Sequence, residues 1–419
     1  MKLYPFQEKY LAQLPSKFIF SCDTGTGKTI MAIEHYARTA YPKPLLILGP
    51  AAKMRVGDWE RHIEEYFGLF APEVHYYGYE KFSRNPTIKE YAKNGRTSVW
   101  REWLAEHPIG GFAIIADECH RLANSQSGIG RAVFEVSKAT KHFIGLSATP
   151  LPNSWLSAAN YFKIFGFSKN ISEFKKRYCN IASYKGFPEI IGYYHEDELK
   201  RLWNQISKPL RKEEALELPP IVDIPVKFET AKEYVQVRKE MVFGDKLLDN
   251  PSALLHALRQ STMVPKIPWL DEFIDGVSSN LVIFYNYVAE REAILAMLKK
   301  KHPKRLVFRQ DGEKHELLEK GIWEDLKGRR SITLAQYQSG STGVEMQYAD
   351  TIVFFSPTYS FSTYHQSIGR IERIGQESNM TLYSLCATAT IENEIWGCLR
   401  DKKDFHESVW IRENVLQKA

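Results

Sequence analysis

One stretch near the amino terminus constrains the fold most, because an apolar, strand-like run passes directly into a glycine-rich loop. The stretch reads Phe18-Ile19-Phe20-Ser21-Cys22-Asp23-Thr24-Gly25-Thr26-Gly27-Lys28-Thr29. Its two glycines can adopt backbone conformations closed to other residues, which lets main-chain N–H groups converge on phosphate oxygens. Residues 30–37 then show helical apolar spacing, which would place the phosphates at a helix amino terminus. Strand, loop and helix in this order predict a P-loop that binds a nucleoside triphosphate.

The side chains of the loop have separate predicted tasks. Lys28 supplies a cation to the β- and γ-phosphates, and Thr29 supplies a hydroxyl to Mg²⁺. Cys22 departs from the usual pattern, which has glycine at that position. The predicted nucleotide-contacting residues of the loop are Asp23, Thr24, Gly25, Thr26, Gly27, Lys28 and Thr29. Kinases, GTPases and motors share such a loop, so the reaction has to be inferred from other motifs.

Composition excludes several classes of protein and leaves an ordinary intracellular one. The 419 residues are enough for two or three domains, and a net charge of +6 is compatible with nucleic-acid binding without proving it. The five cysteines are scattered singly, which fits neither a zinc site nor a disulfide framework. No secretory segment and no uninterrupted apolar stretch of about 18 residues is present. We therefore expect a cytoplasmic protein with no membrane partner.

Apolar strings alternate with helical patterns twice along the chain. The first series contains strings at residues 18–20, 45–48, 112–116 and 143–146, and the second contains strings at 281–285, 331–334 and 351–355. Such alternation predicts mostly parallel sheets covered by helices on both faces, so the fold class is α/β with two domains. The segment between the two series is expected to be mostly helical, with a strand-like run at residues 221–228 in its middle. The predicted division is residues 1–150, 151–220 and 221–419.

An acidic pair follows the predicted strand at residues 112–116. Asp117 would hold Mg²⁺, directly or through water, and Glu118 would polarise the water that attacks the γ-phosphate. A chance acidic turn is the alternative, but the strand and the upstream loop favour the catalytic interpretation. Water as the acceptor indicates an NTPase rather than a kinase.

Two further motifs complete the predicted reaction centre. Ser147 and Thr149 follow the next strand, where their hydroxyls could report loss of the γ-phosphate, although the motif alone is a common turn. Arg370 and Arg373 are three residues apart, so on a helix both would lie on one face. Arginine stabilises the charge of a transferred phosphoryl group, and an arginine finger is worth about 10³- to 10⁵-fold in rate. Such a pair is usually only solvated, and the other motifs favour the catalytic role.

These predictions place an ATP site at a cleft between the two domains. One domain would hold the P-loop, and the other would hold the arginines. Closure on the nucleotide and opening after hydrolysis would move the domains against each other, which is how a bound polymer could be stepped along.

The ordered set of motifs resembles superfamily II helicases, and in detail their Swi/Snf branch of duplex-DNA translocases. The resemblance covers nearly all of the chain, and it implies two RecA-like P-loop domains in tandem with a largely helical insertion between them. The segments that carry it are residues 3–7, 22–29, 49–50, 117–120, 147–150, 218–220, 310–312, 339–346 and 373–376.

The resemblance implies roles for individual residues as well. Gln7 is similar to the adenine reader of the family, which implies ATP and Mg²⁺ as cofactors. Ser147, Thr149 and Gln366 are implied to couple hydrolysis to movement, and the candidates for DNA contact are Lys53, Thr149 and Thr342.

Cys22 agrees with superfamily II, which often has a small residue in place of the first glycine. Three departures from the branch pattern bear on these roles. Lys212 follows Arg211 where a second arginine is usual, and Glu345 replaces the common asparagine of motif V. An acid at position 345 is expected to weaken a backbone or DNA contact. No accessory-domain motif is recognisable, so a compact bacterial, plasmid or viral motor is expected.

The leading hypothesis is an ATP-dependent translocase that tracks duplex or branched DNA through phosphate contacts, without reading sequence. A strand-separating helicase acting on DNA or RNA is the first alternative, because it shares every catalytic motif. An ATP-gated annealing or protein–DNA remodelling factor that travels little is the second. The predicted location is the bacterial cytoplasm, or the host cytoplasm for a viral or mobile-element protein.

Overall fold

The structure of the chain is a computed structural model. It describes residues 2–85, 97–124, 126–151, 154–184, 187–248, 250–314, 316, 326, 329–337, 345–411 and 413–414. The chain divides into two compact units, Met1–Leu216 and Glu217–Ala419. The predicted boundaries at residues 150 and 220 stay a prediction, and residues 151–216 belong to the first unit.

The first unit is built around one sheet with helices on both sides. Its strands are β1 Lys17–Cys22, β2 Leu45–Gly49, β3 Val74–Gly78, β4 Ala113–Asp117, β5 His142–Ser147, β6 Cys179–Tyr184, β7 Phe187–Tyr193 and β8 Ser207–Leu210. Its helices are α1 Pro5–Leu11, α2 Lys28–Thr39, α3 Ala51–Val56, α4 Asp58–Phe67, α5 Tyr79–Ser83, α6 Val99–Glu106, α7 Gly128–Ser137, α8 Ala158–Phe165, α9 Ile171–Tyr178, α10 Glu196–Ile206 and α11 Lys212–Ala215. Short 3-10 turns occur at Gly68–Phe70, Cys119–Leu122 and Trp155–Ser157.

The strand order of the main sheet is β3-β2-β4-β5-β1-β8, and every neighbouring pair is parallel. Strands β6 and β7 form a separate antiparallel hairpin. Alternate residues of a strand pack into different hydrophobic clusters, since Phe18 and Phe20 belong to one cluster and Ile19 to another. Both faces of the sheet are therefore buried, as expected for strands that are almost wholly apolar.

The second unit repeats this architecture. Its strands are β9 Ile221–Phe228, β10 Val242–Phe243, β11 Lys246–Leu247, β12 Leu281–Tyr285, β13 Val307–Gln310, β14 Ile332–Gln336, β15 Thr351–Phe354 and β16 Met380–Ala387. Its helices are α12 Lys232–Glu240, α13 Pro251–Ser261, α14 Lys266–Gly276, α15 Val288–Lys301, α16 Phe361–Ile368, α17 Ile391–Arg400 and α18 Glu407–Ile411.

The second main sheet has the order β13-β14-β12-β15-β16-β9, again with parallel neighbours throughout. Val282 and Phe284 pack in one cluster, whereas Leu281 and Ile283 pack in another, so this sheet is also covered on both faces. Two parallel sheets of this kind confirm the predicted α/β class with tandem RecA-like domains. The segment predicted to be mostly helical contains α8 to α14, together with the β6–β7 hairpin and four further strands, β8, β9, β10 and β11. Strand β9 coincides with the strand-like run at residues 221–228.

In the part of the chain that the structure describes, no helix combines the length and the apolar character that crossing a membrane requires.

Candidate active site

The glycine-rich loop connects β1 to α2, as the sequence pattern predicts. Gly25 has a φ of 83° and Gly27 a φ of 79°, and both values lie in the left-handed region that favours glycine. A Cβ on Gly27 would also meet Nε2 of Gln7, the far end of a flexible side chain, which would have to shift. The positive φ is therefore the main reason for glycine at position 27.

Gln7 lies against the loop and is 2% exposed. Its Nε2 donates a hydrogen bond to the carbonyl of Thr26 at 3.0 Å, and its Oε1 accepts one from the Tyr4 N–H at 2.9 Å. These bonds fasten the start of α1 to the loop. The role of Gln7 as an adenine reader stays a prediction, and the structure places its amide where the loop conformation depends on it.

Lys28 is the first residue of α2, and its ammonium group is directed toward the loop backbone. Its Nζ donates to the carbonyls of Cys22 at 2.8 Å and Asp23 at 2.9 Å. The pKa of Lys28 is lowered overall, because desolvation outweighs the nearby Glu118 carboxylate, which favours the charged form that phosphate binding requires.

Hydrogen bonds within the loop and from α11 stabilise the loop conformation. The Asp23 carboxylate accepts the backbone N–H of Lys212 at 3.0 Å, at the first residue of α11, and Thr26 Oγ1 donates to the Asp23 carbonyl at 2.8 Å. Thr24 differs, because its buried hydroxyl has no hydrogen-bond partner among the described residues. Buried hydroxyls normally have a partner, and a phosphate oxygen would supply one. The loop therefore fits the nucleotide that its sequence predicts.

Asp117 ends β4 and is 2% exposed. Its Oδ2 lies 2.5 Å from Nζ of Lys53 and accepts a hydrogen bond from the Trp59 indole at 3.0 Å. Its Oδ1 accepts the backbone N–H of Glu118 at 3.0 Å. Lys53, a candidate for DNA contact on sequence grounds, is thus paired with the candidate metal ligand in this structure.

Glu118 follows directly in a left-handed backbone conformation, with a φ of 51°. Non-glycine residues rarely adopt this conformation, and they cluster at functional sites when they do. Its carboxylate lies 3.3 Å from Nδ1 of His120. Burial on its own would raise the pKa of Glu118, but His120, Lys53 and Lys28 outweigh it and lower the pKa to about 2. Glu118 is therefore a carboxylate at neutral pH.

His120 connects the acidic pair to the end of β5. Its Nδ1 also lies 3.1 Å from Ser147 Oγ, which in turn accepts the Thr149 N–H at 3.1 Å. The order of the sheet is β4-β5-β1, so the carboxyl ends of these three strands bring the acidic pair, Ser147 and the loop to one edge. Neither His120 nor Trp59 had a role assigned from the sequence. His120 lies within the segment 117–120, three residues after the end of β4, and Trp59 is the second residue of α4.

Oxygen ligands for a magnesium ion are available at this edge. Thr29 is the second residue of α2, and Asp117 offers a buried carboxylate, so hydroxyl and carboxylate oxygens of the type that Mg²⁺ prefers come from both sides of β5. In this structure the ammonium of Lys53 neutralises the Asp117 carboxylate, at the place where such an ion would bind.

The predicted arginines lie in the second unit, and one expectation about them is wrong. The shared helix face considered for the two does not form, because α16 ends at Ile368 and Arg370 and Arg373 follow it in a series of turns. Arg373 forms an ion pair with Glu345 at 2.9 Å, and the carbonyl of Arg370 accepts the N–H of Met346 at 2.9 Å.

Gln366 and Thr342 are the two other residues with predicted roles. Gln366 lies in α16, where its Nε2 donates to Ser362 Oγ at 3.4 Å. Thr342 lies outside the described residues, so its predicted DNA contact stays a prediction.

Two families match the chain, each over one part of it. The family described as "Type III restriction enzyme, res subunit" matches residues 1–151, and the family described as "Helicase conserved C-terminal domain" matches residues 265–375. The first match contains the loop and the acidic pair, and the second contains both arginines.

Curated relatives align along nearly the whole chain at low identity. An uncharacterised ATP-dependent helicase, YqhH of Bacillus subtilis, is 22% identical over 452 residues, which covers 96% of this chain and 78% of the relative. A SWI/SNF-related matrix-associated actin-dependent regulator of chromatin, subfamily A-like protein 1 of Xenopus tropicalis, is 22% identical over 423 residues, which covers 96% of this chain and 44% of the relative. The chain thus spans less than half the length of the Xenopus relative.

Among solved structures, the chain is similar to the SWI2/SNF2 ATPase core of Sulfolobus solfataricus in complex with double-stranded DNA. The two share 18% identity with a TM-score of 0.39, and the alignment covers 100% of this chain and 96% of that one.

Proposed function

We propose that this chain is a Swi/Snf-like member of superfamily II of the helicases and translocases, and that it is an ATP-hydrolysing motor that moves on duplex DNA. The observation that carries the proposal is the shared edge of the first sheet. There, the ends of β1, β4 and β5 bring together a phosphate-binding loop, an acidic pair and a hydroxyl-bearing turn.

The proposed roles follow from the contacts at that edge. Lys28 and the loop amides hold the phosphates of ATP, while the buried hydroxyl of Thr24 meets a phosphate oxygen. Thr29 and Asp117 would hold Mg²⁺, which supplies electrostatic stabilisation of the transferred phosphoryl group when bound.

Glu118 is proposed to orient the attacking water. Its pKa of about 2 makes it a weak base at neutral pH, so it would act mainly by accepting a hydrogen bond from the water. His120 Nδ1 lies 3.3 Å from this carboxylate and 3.1 Å from Ser147 Oγ, so His120 connects the proposed reaction centre to the turn that contains Thr149. We propose that this connection reports the state of the γ-phosphate to the rest of the chain.

The second unit is proposed to supply positive charge to the same reaction. Arg370 and Arg373 would stabilise charge on the transferred phosphoryl group, as in other motors that use arginine for this purpose. Arg373 is paired with the Glu345 carboxylate in this structure, so it would have to leave that carboxylate in order to contact the phosphate.

DNA is the proposed polymer. The name of the Xenopus relative refers to chromatin, and the chain carries a net charge of +6. Contacts to DNA phosphates are independent of sequence and supply most of the affinity of non-specific binding. We also propose ATP with Mg²⁺ as the cofactor pair and the cytoplasm as the location.

Strand separation is the second candidate function, because the Bacillus relative is described as a helicase. The two candidates differ in what movement does to the duplex. A translocase displaces the third strand of a DNA triplex without melting the duplex, whereas a strand-separating helicase releases one strand of a tailed duplex.

The test is to run triplex displacement and tailed-duplex unwinding side by side with ATP. We expect the wild-type protein to displace the third strand and leave the duplex intact. Glu118→Gln should bind ATP and lose displacement, whereas Glu64→Gln, which changes an exposed carboxylate on α4, should behave like the wild type. Unwinding without triplex displacement would favour the second candidate, and full activity of Glu118→Gln would refute the proposed mechanism.

A further inference from the structure

A second group of potential ligands lies at β3, an edge strand of the first sheet. Glu73, His75 and His107 each offer one ligand atom, and these atoms lie within 4.8 Å of one another. Glu73 Oε1 is 2.7 Å from His75 Nε2 and 3.8 Å from His107 Nε2. Two imidazole nitrogens and one carboxylate oxygen form a ligand set that proteins use for Zn²⁺ and related divalent transition-metal ions.

His107 is held in the orientation and the tautomer that a ligand needs. Its Nδ1 lies 3.0 Å from the carbonyl oxygen of Trp103, and a carbonyl only accepts, so Nδ1 carries the proton. In the neutral ring this leaves the lone pair on Nε2, which is the atom that faces Glu73. Hydrogen bonds of this kind from the second ring nitrogen accompany almost every metal-bound histidine.

Packing fixes the ring of His107 further. Its side chain is 9% exposed, and it stacks on Trp103 with ring centroids 3.6 Å apart. His75 meets the same indole edge-on at 5.0 Å, so Trp103 supports both imidazoles. Glu73 is the most exposed of the three ligands, with 58% of its side chain accessible. A metal ion could therefore enter from solvent and keep water on its open side.

This group is remote from the nucleotide site. Glu73 and His75 flank the amino end of β3, whereas the loop and the acidic pair follow the carboxyl ends of parallel strands in the same sheet. A five-residue strand spans about 17 Å, so the two groups lie at opposite edges. A cation here would change the stability of the fold and would take no part in hydrolysis.

We propose that Glu73, His75 and His107 form a binding site for one Zn²⁺-type transition-metal ion, which ties the edge strand β3 to the carboxyl end of α6. On binding, the proton on His75 Nε2 moves to Nδ1 of the same ring, so a neutral imidazole becomes a ligand without net proton loss. His107 Nε2 and the ionised carboxylate of Glu73 bind as they stand.

The test is titration of the untagged, purified full chain with Zn²⁺ in excess Mg²⁺, which occupies the nucleotide site. Isothermal titration calorimetry gives stoichiometry and affinity, and the visible spectrum of bound Co²⁺ reports the coordination geometry. We expect one equivalent of Zn²⁺ and a rise in the unfolding midpoint as Zn²⁺ is added. Glu73→Gln and His75→Gln should each weaken binding by at least about 100-fold, because even outer-shell partners are worth about 10- to 100-fold.

His62 provides the matched control. It lies 3.6 Å from Glu65, so it repeats the histidine–carboxylate pair at a place where no third ligand atom lies within reach among the described residues. His62→Gln should leave Zn²⁺ binding unchanged. Because Glu73 and His75 are partly exposed, their variants should fold, and unchanged ATP hydrolysis without Zn²⁺ would verify this. No Zn²⁺ binding by the wild type, or equal binding by His75→Gln, would overturn the proposal.

Discussion

The ion pair between Lys53 and Asp117 leads to a prediction that distinguishes two roles for Lys53, stabilisation of the Asp117 carboxylate and contact with DNA. Asp117 is 2% exposed, and the side chain of Lys53 is 19% exposed, so the pair is largely buried. Removing one partner from a buried ion pair costs about 3–5 kcal/mol. Because Trp59 and the Glu118 N–H still bond to the carboxylate, we expect Lys53→Met to lose about 3 kcal/mol, the lower end of that range.

A loss of this size should be easy to measure. For a unit of about 200 residues, 1 kcal/mol shifts the unfolding midpoint by about 2–4 °C, so Lys53→Met should lower the midpoint by about 6–12 °C. A divalent cation can replace the missing ammonium beside Asp117. Millimolar Mg²⁺ without nucleotide should therefore restore part of the loss in Lys53→Met and change the wild type little.

The assay is thermal unfolding with and without Mg²⁺, with NaCl of equal ionic strength as the salt control. Arg55→Met is the matched variant, since Arg55 is exposed and lies on the same helix, α3. It should leave the midpoint and its response to Mg²⁺ unchanged. If Lys53→Met keeps its midpoint and only weakens DNA binding, the lysine serves DNA alone and the reasoning about Asp117 is refuted.

Three further predictions concern other charged groups. Glu345→Gln frees Arg373 from a partly exposed pair worth about 0–1 kcal/mol, so kcat/KM for ATP should rise by up to about 5-fold, and a fall in kcat/KM would contradict this. Lys266 and Glu392 form an ion pair with both side chains fully buried, so Lys266→Met should lower the free energy of unfolding in urea by about 3–5 kcal/mol, and a loss below about 1 kcal/mol would show that the pair is dispensable. The pKa of Glu118 is lowered to about 2, so its ionised form stabilises the fold above the unfolded-state pKa and this contribution is lost as pH falls toward 2. The midpoint difference between wild type and Glu118→Gln should therefore shrink between pH 6 and pH 3, and a constant difference would exclude this linkage.

The sequence predicted strands well where they are buried on both faces. Residues 45–48 and 281–285 are continuous apolar runs, and they form the fully buried strands β2 and β12. Strand β3 was not predicted, because its sequence Val-His-Tyr-Tyr-Gly is mixed and its position at the sheet edge leaves it only half-buried. Strand β8 was also not predicted, since it contains Pro209 and gains its partner β1 only in the folded unit.

In the candidate site, too, residues that are close in the sequence were predicted, whereas contacts that only the fold creates were not. The loop from Cys22 to Thr29 is local, so its glycines and its lysine could be assigned from their order alone. The pairing of Lys53 with Asp117 joins residues 64 positions apart and depends on β2 lying beside β4, where Leu48 pairs with Ala116. No spacing rule reveals such a contact. The end of α16 at Ile368 was likewise not available from the spacing of Arg370 and Arg373, which fits a helix although the residues lie in turns.

The central claim, that this chain hydrolyses ATP as a motor on duplex DNA, is tested most directly by one measurement. The steady-state ATPase rate is compared with no polymer, single-stranded DNA, duplex DNA, forked DNA and RNA, for the wild type and Glu118→Gln. We predict that duplex DNA stimulates the wild-type rate most strongly and that Glu118→Gln abolishes the stimulated rate. Stimulation by RNA alone would contradict the account.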